Sequence, residues 1–382
     1  MRGRRPVLAL TSSMKTFFGR WRNKEADFPA GGSEAEKLRF LVRYAVLAPS
    51  KYNSQPWLFE CHDDSLDLIC DRSWAFQVTD PESRELILSC GAALLNLRLA
   101  AQHLGHPAMV ETFPCPGDRY LLARIRLAGG PQNGGPNRLL KPGAAEDCGC
   151  QSPERQPAFR SSDGELFGAI RKRRTHRGCF RNGAPPEGLV ARCCEAAVKS
   201  GAWLYVIRDG RTRHALSDLV TRADREQMAN RAFRRELARW IHPARGKAKD
   251  GLSAAVFGLR RPLDWLSPGV SLLLWTINWG RVIAARDREL AESSPVLAVL
   301  GTTNDTPQAW LAAGQALEAV LLQATVAGVG ASFLNQPIEV EHLRNELPSV
   351  IGRGGFPQIL LRLGYCGRAR RTPRRPAREV LI

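Results

Sequence analysis

The sequence predicts an α+β fold that is duplicated within one chain, and two internal echoes support this prediction. Small residues and leucines recur with helical spacing at 91–105 and again at 314–328, at a constant offset. A strand-like W-L-F run at 57–59 is matched by W-L-Y at 203–205, and each run follows a helical pattern. Such residues are common in any buried helix, so a chance match of the two helices is the alternative. The matched helix positions are Gly91, Ala93, Leu94, Leu99, Ala101 and Gly105 in the first half and Gly314, Ala316, Leu317, Leu322, Ala324 and Gly328 in the second.

The first half is predicted to span 37–130 and to contain both helices and strands. Apolar residues at 38–45 have the three- and four-residue spacing of a helix. A second helix is predicted from about 82 to 105, because Pro81 suits a first helical turn and a glycine suits the helix end. Alternating apolar residues at 123–127 predict the strand that ends this half.

The remaining segments comprise a tail, a linker and the second half. We predict a basic tail at 1–36 and a Gly/Pro-rich linker at 131–160. The second half then covers 161–382 and contains the insertion, at about 214–294, where the first half has no counterpart. The insertion begins with the pattern of one basic amphipathic helix.

The insertion has three alternative interpretations. It is a lid over a binding site, an interface to another subunit, or a membrane-surface helix. Its large apolar side chains need cover, and a lid would bury them against the site or the nearby core. The side chains concerned are Trp265, Trp275 and Trp279.

The sequence P-S-K-Y-N-S-Q-P-W at 49–57 is the most informative stretch of the chain. Its prolines and serines predict a loop that is held in one shape. Asn53 and Gln55 stand two residues apart, so in an extended loop their side-chain amides point the same way. Each amide offers a donor and an acceptor, which suits the edge of a planar heterocycle with alternating C=O and N–H groups. The alternative is a turn with two solvated amides.

Two basic elements accompany this loop. The sequence R-R-T-H-R occupies 173–177, and R-R-P-A-R-E-V occupies 374–380. Arginine forks pair well with phosphate oxygens, and a threonine hydroxyl adds a further hydrogen bond. A solvated helix start and a disordered basic tail are the alternatives for these two elements.

Together the three elements resemble the signatures of the nitroreductase family, whose members bind FMN. The loop is similar to the family's P-S-x-x-N-x-Q-P-W, and 170–180 is similar to its I-x-x-R-R-S-x-R-x-F, with Thr175 in place of the serine. The reversed order of these elements and the double length resemble the Acg-like branch, in which two nitroreductase-like halves are fused. The resemblance implies a nitroreductase-like fold with one composite FMN site, because each half lacks the other's motif.

The resemblance also implies which residues bind FMN. The loop would contact the ring and ribityl chain, the arginine elements would hold the phosphate, and backbone at 328–332 would approach flavin N5. Lys51 replaces a serine, and its cation would either favour anionic reduced flavin or point to solvent. Arg84 is a further candidate near the pyrimidine edge. The predicted cofactor-binding residues are Pro49, Ser50, Lys51, Asn53, Gln55, Arg84, Arg174, Thr175, Arg177, Gly330, Ala331 and Arg374.

No side chain is recognisable as a general acid or base, so no catalytic residue is predicted. No Cys/His group has the spacing of a zinc site, so no metal ligand is predicted either. The histidines lack a Ser or Cys partner at a recognised nucleophile spacing, and no G-x-G-x-x-G follows a strand. This fits a flavin enzyme, in which the cofactor carries the electron chemistry. The prediction is an NAD(P)H-dependent FMN oxidoreductase with a small-molecule electron acceptor, as a monomer or homodimer. The alternative is a non-catalytic protein that sequesters FMN beneath a lid.

Composition argues against several other classes of protein. Hydrophobic residues make up 44% and charged residues 24% of the chain, as in ordinary globular proteins. The net charge is +18, but no helix-turn-helix, zinc-finger or aromatic RNA motif is visible, so we expect no nucleic-acid partner. The apolar stretch at 270–277 is too short to span a membrane, so we expect no membrane association. Cysteines without zinc spacing, and no signal-peptide core at 1–22, predict a cytoplasmic protein.

Overall fold

The structure is a computed structural model, and it describes residues 25–128, 162–242, 248–253, 267–367 and 371–382. The predicted linker, most of the predicted basic tail and Trp265 lie outside the described residues. The helices are α1 (Glu34–Ala45), α2 (Arg84–His103), α3 (Asp163–Ile170), α4 (Leu189–Lys199), α5 (Gly210–Ala229), α6 (Arg231–Arg239), α7 (Ser267–Thr276), α8 (Gly280–Glu292), α9 (Pro307–Val326), α10 (Gln336–Glu339) and α11 (Glu341–Ile351). The strands are β1 (Trp57–Cys61), β2 (Leu66–Cys70), β3 (Ala108–Thr112), β4 (Leu121–Leu127), β5 (Trp203–Ile207), β6 (Ile241–His242), β7 (Leu252–Ser253), β8 (Val296–Thr302), β9 (Gly330–Phe333) and β10 (Phe356–Gly364).

Two four-stranded sheets share one strand order, which confirms the predicted α+β fold and its duplication. The first sheet has the order β1-β2-β4-β3 and the second has the order β5-β8-β10-β9. Every neighbouring pair in both sheets is antiparallel. A long helix, α2 or α9, connects the second strand to the third in each half. The W-L-F and W-L-Y runs therefore begin equivalent strands, β1 and β5.

The helices α2 and α9 pack against each other through equivalent residues. A Cβ added at Gly91 would collide with the backbone oxygen of Leu311, and one added at Gly314 would collide with that of Leu88. These contacts are reciprocal, so an approximate two-fold axis relates the two halves at this crossing. Gly91 and Gly314, two of the small residues that predicted the duplication, let the helices approach. Among the described residues, α9 is the one helix long and apolar enough to cross a membrane, and most of it is buried in the fold.

Local capping chemistry sets where the helices of the first half begin. α1 starts with a capping box in which the Ser33 side chain accepts from a backbone N–H of the first turn. α2 starts at Arg84 and not near 82 as predicted, because Ser83 adopts a left-handed conformation with φ of 64°. The carboxylate of Asp80 caps this helix by accepting from the N–H of Glu85 at 2.9 Å.

The insertion lies between β5 and β8, at the position of the short turn 62–65 that joins β1 to β2. Its first part forms two helices and not the single predicted helix, because Asn230 ends α5 and caps two N–H groups of α6. Trp275 and Trp279 are 41% and 36% exposed, so the prediction that a lid buries them is wrong. Phe233 on α6 is buried instead.

The C-terminal arm, residues 371–382, connects the second half back to the first sheet. Phe59 on β1 donates its N–H to the Val380 oxygen at 2.7 Å, and Ile382 donates to the Phe59 oxygen at 3.0 Å. This pairing fixes the end of the arm against the edge strand of the first sheet. The arm therefore brings Arg374 to the loop at 49–57, where it bonds to Asn53.

Candidate functional site

A cavity of about 300 Å³ lies between the two halves, beside the crossing of α2 and α9. We call it the large cavity. Its volume is at the lower end of the range for small-molecule sites. The first half contributes the loop and one face of α2, while the second half and the insertion supply the remaining walls. The predicted site residues that line it are Pro49, Ser50, Lys51, Asn53, Thr175, Arg177 and Arg374.

A small cavity of about 130 Å³ adjoins the large one, and Thr175, Thr372 and Arg374 line both. Its described lining is strongly basic and includes no carboxylate. Burial and the neighbouring Arg173 lower the pKa of Arg374 to about 9. The guanidinium groups therefore repel one another. An anion in the small cavity would relieve this repulsion. We define the arginine cluster as the five arginines that line the small cavity: Arg171, Arg173, Arg174, Arg371 and Arg374.

The strand β9 positions Thr175 at the junction of the two cavities. Thr175 forms a parallel bridge with Ala331, and the next residue, His176, donates its N–H to the Ala331 oxygen at 2.8 Å. Neither Gly330 nor Ala331 is among the residues that line the cavities; Ser332 and its neighbours do so instead. Ala331 therefore supports the arginine element through its backbone, while Gly330 pairs with Gly364 of β10.

The backbone of the loop at 49–57 is strained. Three residues that are not glycine have positive φ: Tyr52 at 46°, Asn53 at 59° and Gln55 at 54°. Each such residue costs on the order of 1–3 kcal/mol and persists only where surrounding contacts enforce it. The expectation of an extended loop is wrong, because 51–53 form a 3-10 turn. The Ser50 hydroxyl stabilises the turn by accepting the N–H of Gln55 at 3.0 Å.

The amides of Asn53 and Gln55 converge as predicted, but they converge on protein groups. Both donate to the backbone oxygen of Lys249 in the insertion, at 3.1 Å and 2.8 Å. The Asn53 side-chain oxygen accepts from Arg374 at 2.7 Å, and the Gln55 side-chain oxygen accepts from the Arg375 N–H at 2.6 Å. Both side chains are buried, so the alternative of solvated amides is wrong. They fasten the insertion and the C-terminal arm to the loop, and Gln55 does not itself line either cavity.

Lys51 lies in the wall of the large cavity, buried between two carboxylates and not pointing to solvent. Its ammonium pairs with Glu85 on α2 and, at 2.9 Å, with Glu339 on α10. Burial alone would lower the pKa of Lys51, but Glu339 and Glu85 raise it well above its ordinary value. The lysine therefore stays charged, and its charge is balanced by the protein itself.

Arg84 was predicted to lie near the pyrimidine edge of the flavin, but the structure places it against the second half of the chain. Its guanidinium donates to the backbone and side-chain oxygens of Gln358, at 2.9 Å and 3.1 Å. It is buried and is not among the residues that line either cavity. The interaction joins α2 of the first half to β10 of the second, which is a structural role.

Sequence reasoning missed many residues of the large cavity because they follow no motif. Polar side chains come from α8, from β10 and from the segment after β9, where Gln336 donates to Asp287 at 2.6 Å. Apolar side chains come from the insertion, including Met228, Phe233 and Leu237. For the insertion residues, the available signal was the amphipathic spacing of apolar side chains. That spacing predicts a helix with one buried face, but it does not indicate that the buried face lines a cavity. The missed polar residues include Arg286, Asp287, Asn335, Gln336, Glu339 and Arg362.

Comparison with known proteins identifies relatives along almost the whole chain. No family model matches. A Mycobacterium tuberculosis H37Rv protein with the name "Putative NAD(P)H nitroreductase Rv3131" is 30% identical over 357 residues, covering 91% of this chain and 90% of the relative. The protein named "Putative NAD(P)H nitroreductase acg" from the same strain is 27% identical over 358 residues, covering 90% and 94%.

Solved structures show a weaker likeness. The FMN-dependent nitroreductase NfnB from Mycobacterium smegmatis, solved in complex with NADPH, is 16% identical with a TM-score of 0.37, covering 56% of this chain and 96% of that one. That score is too low to add to the assignment, which follows from the sequence relatives. The chain belongs to the nitroreductase family, in the branch that includes the acg protein of Mycobacterium tuberculosis.

Proposed function

We propose that this protein is an FMN-dependent oxidoreductase of the nitroreductase type that takes electrons from NAD(P)H and passes them to a small-molecule acceptor. The observation that carries the proposal is the arginine cluster, whose described cavity lining includes no carboxylate. A phosphate group in the small cavity would bring negative charge to guanidinium groups whose cavity lining provides none. The adjoining large cavity gives room for a ring attached to that phosphate. Relatives named as NAD(P)H nitroreductases support the same assignment.

The residues at the junction fit such a ligand. Thr175 and Arg374 line both cavities, so they stand where the phosphate end would meet the ring end. Ala92 of α2 and Leu317 of α9 give the large cavity apolar wall, as a flavin ring requires. In this arrangement Asn53 acts on the cofactor by holding Arg374, because its amide is already bonded to that guanidinium and to backbone.

FMN, when bound, supplies the two-electron chemistry of the reaction. The chain's residues bind the cofactor, orient it and control its surroundings. The arginine cluster holds the phosphate, and Met228, Phe233 and Leu237 exclude water from the large cavity. Lys51 and its two carboxylate partners form a polar wall in which the lysine charge is paired within the protein.

Anaerobic mixing of FMN-loaded protein with NADH or NADPH tests the proposal. An oxidoreductase loses its flavin absorbance with at least one donor and regains it when a nitroaromatic acceptor is added. A protein that only sequesters FMN keeps its absorbance with both donors, while dithionite shows that the flavin is reducible; that result would overturn the proposal. We expect one FMN per chain, and two per chain would contradict a composite site.

A further inference from the structure

A buried carboxylate lies behind the arginine cluster and has no role in the site as described so far. Glu318, on α9, is 0% exposed. Its one ion pair among the described residues joins its Oε1 to Nε of Arg173 at 3.4 Å. Within the same described part of the chain, neither carboxylate oxygen has a hydrogen bond of normal geometry. A fully buried carboxylate with so little support is costly, because burial disfavours its charged form.

The groups that face Glu318 come from three different elements. Arg173, beside α3, and Arg374, in the C-terminal arm, both belong to the arginine cluster and favour the ionised carboxylate. Asn96 on α2 approaches from the first half and also favours the ionised form. Arg173 is itself anchored, because it donates to the Leu47 backbone oxygen at 3.1 Å. The carboxylate is therefore an internal counter-charge for the cluster.

We propose that Glu318 is a proton-binding site coupled to the anion site: ionised when the arginine cluster holds no anion, and protonated when a phosphate dianion occupies it. The proton comes from solvent, so anion binding and proton uptake are one linked event. This inference rests on the proposed function for the identity of the anion as the FMN phosphate, and the coupling itself rests on the geometry of the cluster.

The direction of the coupling follows from charge. Burial raises the pKa of Glu318 to about 7, although Arg173 and Arg374 oppose the rise. A phosphate on the cluster adds nearby negative charge and engages the guanidinium groups that had favoured the carboxylate. Both changes raise the pKa of Glu318 further, so the bound state holds more protons than the free state. Affinity for the dianion should fall as pH rises above 7, by about tenfold between pH 7 and pH 8.5.

Isothermal titration calorimetry of apoprotein with FMN measures the proton directly. Titrations at pH 7.5 are made in HEPES and in Tris, which have different enthalpies of ionisation. The difference between the two binding enthalpies, divided by the difference between the buffer ionisation enthalpies, gives the number of protons taken up. We expect an uptake of roughly 0.5–0.8 proton per FMN for the wild type, from a group that is mostly ionised before binding and mostly protonated after it. The phosphate contributes little at this pH, since its second pKa is about 6. Riboflavin lacks the phosphate and should bind without proton uptake.

Glu318→Gln is the matched variant, because it keeps the shape of the side chain and removes the titration. We expect its proton uptake to fall to near zero and its affinity for FMN to become nearly independent of pH between 7 and 8.5. Glu289→Gln changes an exposed carboxylate and should leave the uptake as in the wild type. If Glu318→Gln does not fold, the wild-type comparison of FMN with riboflavin still tests whether phosphate binding takes up a proton, and no difference between the two ligands would overturn the coupling.

The outcomes separate this inference from the proposed function. FMN binding at one per chain with no proton uptake, or with equal uptake in Glu318→Gln, would overturn the coupling and leave the FMN proposal intact. If FMN does not bind, the proposed function fails, and inorganic phosphate then serves as the probe. Uptake with phosphate that is lost in Glu318→Gln would support the coupling for another phosphorylated ligand, and its absence would end the coupling as well.

Discussion

The first half joins its first two strands by the short turn 62–65, whereas the second half places the whole insertion between the equivalent strands β5 and β8. At the α2–α9 crossing, in contrast, the halves are equivalent, because Gly91 and Gly314 make the same contact with the opposite helix. The cavities combine unequal parts: the strained loop of the first half with the arginine element and insertion of the second. Substitutions at the crossing should therefore have equal effects in both halves, and substitutions at the cavities should not.

The largest effect is expected at the crossing. Gly91→Ala and Gly314→Ala each place a methyl group against a backbone oxygen of the opposite helix, which cannot rotate away as a side chain can. We expect each to lower the free energy of unfolding by about 3 kcal/mol or more, measured by urea denaturation. Gly168→Ala on α3 is the control, because an added Cβ there meets nothing within 4 Å. If one substitution is tolerated and the other is not, the two helices do not make equivalent contacts at the crossing.

Phosphate recognition should depend mainly on the second half, because all five arginines of the cluster belong to it. Arg174→Ala removes one charge-assisted hydrogen bond to an anion, worth roughly 1.5–3 kcal/mol, so we expect FMN affinity to fall about tenfold to hundredfold. Riboflavin affinity should change little, because riboflavin has no phosphate. Arg211→Ala, at an exposed position of α5, controls for the loss of one positive charge. Equal losses for FMN and riboflavin would mean that Arg174 is structural.

Acid should weaken a contact that the first half lacks, between the loop after β8 and α11. Burial tends to raise the pKa of Asp305, but hydrogen bonds from Arg344, Gln358 and Trp310 lower it to about 2. Because the folded pKa is lowered, this stability is present above about pH 4 and is lost as pH falls toward 2.

The measurement is the free energy of unfolding between pH 5 and pH 2. Asp305→Asn should remove about 1–2 kcal/mol at pH 5 and flatten the dependence in that window. Asp64→Asn, whose side chain is 75% exposed, is the control. An unchanged pH profile in Asp305→Asn would assign the acid sensitivity to other carboxylates.

Local patterns predicted several elements of both halves, among them α1, α2, β1, β4 and β5, because the spacing of apolar residues and the packing of small residues can be recognised in short windows of sequence. The site was predicted less completely. The positive φ angles of Asn53 and Gln55 depend on Lys249 and the C-terminal arm, which are distant in sequence. The partners of Lys51 are distant for the same reason, and no pattern indicated that Glu85 and Glu339 would meet it. Contacts between remote segments are properties of the assembled fold, whereas the break at Asn230 is a local helix cap that the sequence analysis missed.

The smallest effect, and the sharpest test of the unequal halves, concerns the insertion. Phe233 and Leu237 on α6 line the large cavity, where the first half has only its short turn. Replacing both by alanine should open this wall, and we expect FMN release to quicken roughly fivefold, for about 1 kcal/mol of lost packing. Reduction by dithionite should quicken as well, because access limits it. Val282→Ala, exposed on α8, should change neither rate in a stopped-flow comparison. If both rates stay the same while the oligomeric state changes, α6 belongs to a subunit interface and the insertion does not control access.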